Sequence, residues 1–171
     1  MSTSTRRFST RRSLLPALLL LAVSAQAWAQ TCAPGDISAP PSLTGTVRPA
    51  VAQDVNPDPN ILEVELTARP AQWDFGVGNL VDVWTYNGFI PGPTLEAKIG
   101  DTLIVHLCND LPDPTTIHWH GVDLPANMDG SHISQFAVEP GETFRYEFEL
   151  THAGTFWYHP HFQTHTQVEK G

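Results

Sequence analysis

The hydrophobic pattern changes character twice along the 171 residues. Leu14 to Ala22 is an almost unbroken apolar run, whereas Gln30 to Asn60 is rich in Pro, Ala, Ser and Asp and has no clear period. From Ile61 onward the period is two. Ile61 to Ala68 alternates as a strand, and Val81 to Tyr86 is β-branched and aromatic before the turn signal Asn87-Gly88. Pro91-Gly92-Pro93 breaks the chain, and Thr94 to Ile99 resumes it. Gly100-Asp101 turns into Thr102 to Cys108, where Leu103, Val105 and Leu107 take one face and Ile104, His106 and Cys108 the other, a pattern that predicts burial on both. Leu111 to Pro114 forms a proline-punctuated loop before the short run Thr116 to His120. Later, Phe144, Tyr146, Phe148 and Leu150 alternate with Arg145, Glu147 and Glu149, and Ala153-Gly154 turns into Thr155 to Tyr158. No window keeps a helical period over three turns, and no internal repeat is visible. Short strands divided by Gly, Pro, Asn and Asp turns predict an all-β antiparallel sandwich or barrel.

The first apolar run belongs to a targeting segment. Arg6, Arg7, Arg11 and Arg12 precede it, and Ala27-Trp28-Ala29 supplies a small-x-small cleavage site, so residues 1–29 read as a signal peptide and Gln30 as the first mature residue. The run is shorter than the roughly 20 residues a spanning helix requires, which argues against a membrane anchor. Thr10-Arg11-Arg12-Ser13-Leu14-Leu15 also resembles a twin-arginine signal; an arginine-rich Sec leader is the alternative. Either route makes the mature chain exported, periplasmic or secreted, with no membrane span after cleavage.

Residues 30–60 then form an extended Pro-rich arm, and 61–171 a single domain. Losing the four leader arginines leaves five basic against eighteen acidic residues, a formal charge of −13 where the whole chain carries −9. That balance argues against nucleic acid and anionic membrane as partners. Cys32 and Cys108 either pair in an oxidising compartment or leave Cys108 as a buried thiol. Neither cysteine lies in a CxxC motif.

The chemistry concentrates in two His-x-His pairs, His118-Trp119-His120 and His159-Pro160-His161, each at the close of a β-patterned run. On a strand, residues i and i+2 share a face with Cα atoms roughly 6.5 Å apart. Two pairs on neighbouring strands therefore aim four imidazoles at one place. The spacing is wide for chelation of one ion by one pair and suits ions side by side, each taking one imidazole from a pair, as in half of a multinuclear site. A lone strand histidine is more often a packed or hydrogen-bonded residue, and one pair arises easily by chance among eight histidines; two at strand ends beside aromatic residues do not.

Imidazole suits zinc, copper, iron and nickel alike. A zinc hydrolase motif such as HExxH is absent. Cys108 lacks the spaced His and Met of a mononuclear blue-copper site, and Met128 is the only methionine of the mature chain.

Four motifs in order carry a family resemblance. Tyr86-Asn87-Gly88-Phe89-Ile90-Pro91-Gly92-Pro93-Thr94 with Gly100-Asp101-Thr102, then Thr116-Ile117-His118-Trp119-His120-Gly121, then Met128-Asp129-Gly130, then Gly154-Thr155-Phe156-Trp157-Tyr158-His159-Pro160-His161 resemble the first cupredoxin (plastocyanin-like) domain of multicopper oxidases, the laccase and copper-resistance oxidase superfamily. The resemblance implies a Greek-key β-sandwich or barrel of cupredoxin type, incomplete at its C-terminus. By the same resemblance His118 binds a type 2 copper, and His120, His159 and His161 a type 3 pair, of a trinuclear centre that reduces dioxygen to water. The type 1 site and the other four cluster ligands would come from a C-terminal cupredoxin domain or another subunit. An oxidase that is active only at full length follows, with this segment alone inactive and a phenol, an aromatic amine or a metal ion as the small reducing substrate.

Asp129, nine residues after His120, matches an acidic residue that assists proton delivery in the family; Asp-Gly is also an ordinary turn dipeptide. Trp119 and Trp157 read as core residues pointing away from the metal. His106 reads as bonded within the sheet, His152 as a turn residue, and His132 and His165 as candidates to support the ligands from behind. The competing functions are a stand-alone periplasmic copper-binding module without oxidase activity and a zinc-binding structural domain.

Overall fold

A computed structural model describes residues 50–171. The expected signal peptide, the arm up to residue 49 and Cys32 lie outside the described residues. Strand β1 spans Ile61–Asp74, β2 Leu80–Tyr86, β3 Thr102–Asn109, β4 Ile117–His120, β5 Thr143–Glu149 and β6 Trp157–Pro160. A one-turn 3-10 segment covers Ala126–Met128, and a short helix, α1, covers Thr164–Glu169. The described residues are all-β in architecture, as the period-two pattern predicts, and build two sheets, one in the order β2-β1-β3-β5 and one of β4 and β6.

The larger sheet presents rows of apolar side chains on one face because its register aligns them. Leu62, Leu103 and Phe148 form one row, Val64, Val105 and Tyr146 the next, and Leu66, Leu107 and Phe144 the third. Ile117 and Trp119 of β4 pack onto this face, the indole of Trp119 meeting the rings of Tyr146 and Phe148 edge-on at 5.5 and 5.4 Å. A two-stranded ribbon is marginal by itself. Burying Ile117 and Trp119, at about 1.5–3 kcal/mol for an apolar side chain of this kind, is what fixes β4 against the larger sheet. One polar tether joins the sheets as well: the Ile117 N–H donates to the Tyr146 hydroxyl at 2.8 Å, and the Gln135 amide donates to the same oxygen at 3.0 Å. Burial pushes the Tyr146 phenol up to about 12, so it stays neutral throughout the physiological range.

Several expectations are corrected. β1 does not stop at Ala68. It pairs with β3 through Ala68 and with β2 from Ala68 to Asp74, so Pro70 lies where one flank is free and its missing N–H removes no ladder bond. β1 and β3 run parallel, which makes the sheet mixed rather than antiparallel.

Thr94 to Ile99 is not a strand: only Thr94 bridges, to Val51, and the Lys98 N–H is taken by the Asp101 carboxylate at 2.8 Å. β6 starts later than expected and contains His159 and Pro160. The outer face of β3 is only partly buried, since His106 and Cys108 are half-buried while Ile104 is buried. Cys108 is disulfide-bonded, which removes the free-thiol alternative.

Tyr146→Phe keeps the ring packing and leaves the buried Ile117 N–H without its acceptor, so it should lower stability by about 1–3 kcal/mol. Urea unfolding of the chain checks this; an unchanged midpoint would mean that the hydroxyl is not the tether between the sheets.

Candidate metal centre

Antiparallel pairing of β4 with β6 sets Ile117 opposite Pro160, His118 opposite His159, Trp119 opposite Tyr158 and His120 opposite Trp157. The period of two then puts His118, His120, Trp157 and His159 on one face, while Trp119 and Tyr158 face the other. His161 follows directly after β6. The His118 ring centroid lies 5.6, 5.3 and 5.1 Å from those of His120, His159 and His161, and His159 lies 5.6 Å from His120 and 6.2 Å from His161. Ring nitrogens of His118, His120 and His159 all come within 4.8 Å of one another. The structure thus gathers all four predicted imidazoles.

Two of the rings are oriented by backbone carbonyls. His118 Nδ1 donates to the Asp129 carbonyl at 2.8 Å, with the Asp129 carboxylate Oδ1 at 3.2 Å. A carbonyl only accepts, so the proton is on Nδ1 and the Nε2 lone pair is free. The 129–130 backbone can come this close because Gly130 has φ +77° and no Cβ; an added Cβ would lie 2.0 Å from the Ile117 carbonyl oxygen. His159 Nδ1 likewise donates to the Pro160 carbonyl at 3.0 Å. Burial, then the neighbouring imidazoles, holds His159 below the ordinary histidine range and favours its neutral, ligating form.

The residues fit a metal on two observations. His120 Nδ1 and His159 Nε2 are 3.4 Å apart. With metal–imidazole bonds of about 2.0–2.1 Å, this separation corresponds to an angle of about 110° at one shared ion. The two nitrogens come from different pairs, as ions placed side by side require. In addition, His161 Nδ1 is buried and has no hydrogen-bond partner, the condition of a nitrogen awaiting a ligand or a donor.

Trp157 departs from expectation. It is not core: it is 52% exposed, and its indole stacks on His159 at 4.0 Å and on His120 at 5.2 Å. The signal was in the spacing, because Trp157 stands two residues before His159 and so shares its face, whereas Trp119 sits between two ligands and points inward. His106 bonds Glu63 at 2.6 Å on the outer face of the sheet and, with the Asn56 amide, holds that carboxyl below its usual value. His152 bonds the Gly121 carbonyl at 3.3 Å in a turn, with Asp123 at 3.7 Å. His132 and His165 are exposed, and neither bonds one of the four rings among the described residues. The Gly130 approach and the Tyr146 tether were not anticipated; only the Asp-Gly dipeptide hinted at the former.

Comparison with known proteins places this geometry. The profile of the family described as Multicopper oxidase matches residues 67–171. The chain is 44% identical over 96 residues to the Multicopper oxidase MmcO of Mycobacterium tuberculosis, covering 56% of this chain and 19% of that protein. It is 49% identical over 109 residues to the Copper resistance protein A of Escherichia coli, covering 58% and 18%. The solved structure of a multicopper oxidase from Campylobacter jejuni, a metallo-oxidase, superposes with a TM-score of 0.68 at 34% identity, over 74% of this chain and 27% of that one. The chain spans about a fifth of the length of the two curated relatives.

Gly130→Ala should therefore push Asp129 away from His118. Its expected cost is more than about 1 kcal/mol, because Ala is strained at positive φ and meets the Ile117 carbonyl as well. Thermal unfolding reads the loss. Imidazole NMR reads the cause: the carbonyl contact should protect the His118 Nδ1 proton from exchange in the wild type and not in the variant, and protection in the variant would show that the contact survives a Cβ.

Proposed function

The chain belongs to the multicopper oxidase family, and we propose that it is the segment of an exported oxidase that brings His118, His120, His159 and His161 to a trinuclear copper centre. Copper bound there supplies the redox chemistry, in which electrons taken singly from a phenol, an aromatic amine or a metal ion serve the four-electron reduction of dioxygen to water. In this reading residues 1–29 are the leader, 30–60 the arm and 61–171 the cupredoxin domain. The remaining ligands and the type 1 site come from a partner cupredoxin domain or another subunit. Among the described residues, no helix is long and apolar enough to cross a membrane.

One observation carries the proposal: nitrogens from the two pairs, His120 Nδ1 and His159 Nε2, face each other at 3.4 Å. His118 serves the type 2 position, and His120, His159 and His161 the type 3 pair. The Asp129 carbonyl holds His118 in the Nδ1–H tautomer, so that Nε2 is the atom offered for ligation. Neutral His159 needs no deprotonation before it binds.

The Asp129 carboxylate, 35% exposed and 3.2 Å from His118 Nδ1, connects the solvent side of that ring with the site. In this reading the carboxylate relays protons inward through water, while its backbone does the orienting. The two duties are separable because they fall on different atoms.

Cu2+ titration of the 171-residue chain, followed by the nitrogen couplings in its electron paramagnetic resonance spectrum, should show imidazole-bound copper that His120→Ala and His159→Ala reduce to background. Protons compete for the same lone pairs, so binding weakens as pH falls. The lowered pKa of His159 delays its share of that loss to a lower pH than an ordinary histidine would show. The copper-loaded chain should leave a phenolic dye unoxidised; turnover by the chain alone would overturn the division of the cluster between domains.

In the full-length oxidase, Asp129→Asn keeps the carbonyl contact and removes the proton carrier. Dioxygen consumption should fall by about 10²- to 10⁴-fold at unchanged copper content. An unaltered rate would return Asp129 to the role of a turn residue.

A further inference from the structure

We propose that Trp157 is a positioning residue for the ligand rings: its indole stacks on both His120 and His159 and fixes the angle at which their nitrogens meet. The inference rests on the copper reading of this site.

The four rings are not held alike. His118 and His159 each have Nδ1 bonded to a carbonyl, Asp129 and Pro160 respectively. His120 has no such lock. Among the described residues its one hydrogen-bond contact is with His159, the ring with which it would share an ion. Imidazole rotation about the outer side-chain torsion is soft, and His120 is exposed, so hydrogen bonding leaves its plane undetermined.

Trp157 supplies what is missing. It is the direct cross-strand partner of His120 and stands two residues before His159, so a single indole lies over both rings. Its planes are within 25° and 27° of theirs, close to parallel, whereas the two imidazoles are tilted 45° to each other. Parallel contact restricts rotation of each ring without occupying a nitrogen, which a hydrogen bond to Nδ1 of His120 would do.

The test is Cu2+ titration of the 171-residue chain against a competing chelator, comparing wild type with Trp157→Ala, Trp157→Leu and Trp157→Phe. Trp157→Leu keeps bulk without a flat face; Trp157→Phe keeps a flat face. Trp157→Ala and Trp157→Leu should each weaken copper binding by at least about tenfold, the scale seen when groups supporting metal ligands are removed, and Trp157→Phe should stay nearer to wild type than either. In the metal-free chain the His120 and His159 ring protons should carry an upfield ring-current shift that Leu abolishes and Phe partly retains.

A loss below tenfold in Trp157→Leu, or a Phe variant no better than Leu, overturns the proposal, and the Leu–Phe comparison decides it even if the Ala variant does not fold. Failure of the wild-type chain itself to bind Cu2+ would overturn the copper reading and this inference with it, which separates the two.

Discussion

The register between β4 and β6 is the constraint on which the rest depends. Side chains alternate along a strand, so a slip of one residue in either strand would turn His118 and His120 inward or set Tyr158 in place of His159. The ribbon is only four residues long and its own ladder is weak. Register is imposed from outside: Ile117 and Trp119 fit the apolar face of the larger sheet, and the Tyr146 hydroxyl accepts the Ile117 N–H. The segment before β4 is held too, since the buried Gln167 side chain accepts from the Thr115 hydroxyl and donates to the Pro114 carbonyl. What looks like two independent histidine motifs is one assembly whose spacing is set by core residues on its reverse face.

Orientation within that assembly comes mainly from backbone. The carbonyls of Asp129 and Pro160 fix which nitrogen of His118 and of His159 carries hydrogen, and at His118 the Asp129 carboxylate stands 3.2 Å from the same nitrogen. Charge is kept off the His159 ring itself. His159 is the most enclosed of the four, and burial together with the three other imidazoles disfavours its protonation. Basicity and geometry therefore point the same way at His159: the ring buried deepest is held toward its neutral form.

Much of this was legible in the sequence, because it depends on period two. The apolar rows of the larger sheet follow from alternation in Ile61 to Ala68, Thr102 to Cys108 and Phe144 to Leu150, and the convergence of the imidazoles follows from the i, i+2 spacing of each pair. Features that depend on which strand lies beside which were not legible. Alternation ends at Ala68, yet β1 runs on past Pro70 because one flank is free there, and Thr94 to Ile99 reads as a strand although Asp101 takes the Lys98 N–H. The parallel pairing of β1 with β3 joins segments that local pattern cannot connect. Trp157 departs from its expected core position for a simpler reason: its offset from His159 is an even number, so it shares that face, whereas Trp119 is an odd number of residues from both ligands of its pair.

The four rings also divide by how completely this chain determines them. His118 and His159 have both position and tautomer set by their own strands and the adjoining loop. His120 is exposed and depends on stacking, and His161 presents a buried Nδ1 that nothing among the described residues satisfies. An unsatisfied buried nitrogen costs stability unless a partner arrives, and a ring without a hydrogen bond gains a fixed plane only from neighbouring rings. His118 and His159 are thus held by hydrogen bonds before anything binds and His120 by the stacked indole of Trp157, while His161 is left to take its final order from what binds. For a site proposed to hold more than one ion this division is physically reasonable, because a fully rigid set of four lone pairs could not adjust to the repulsion between cations held side by side.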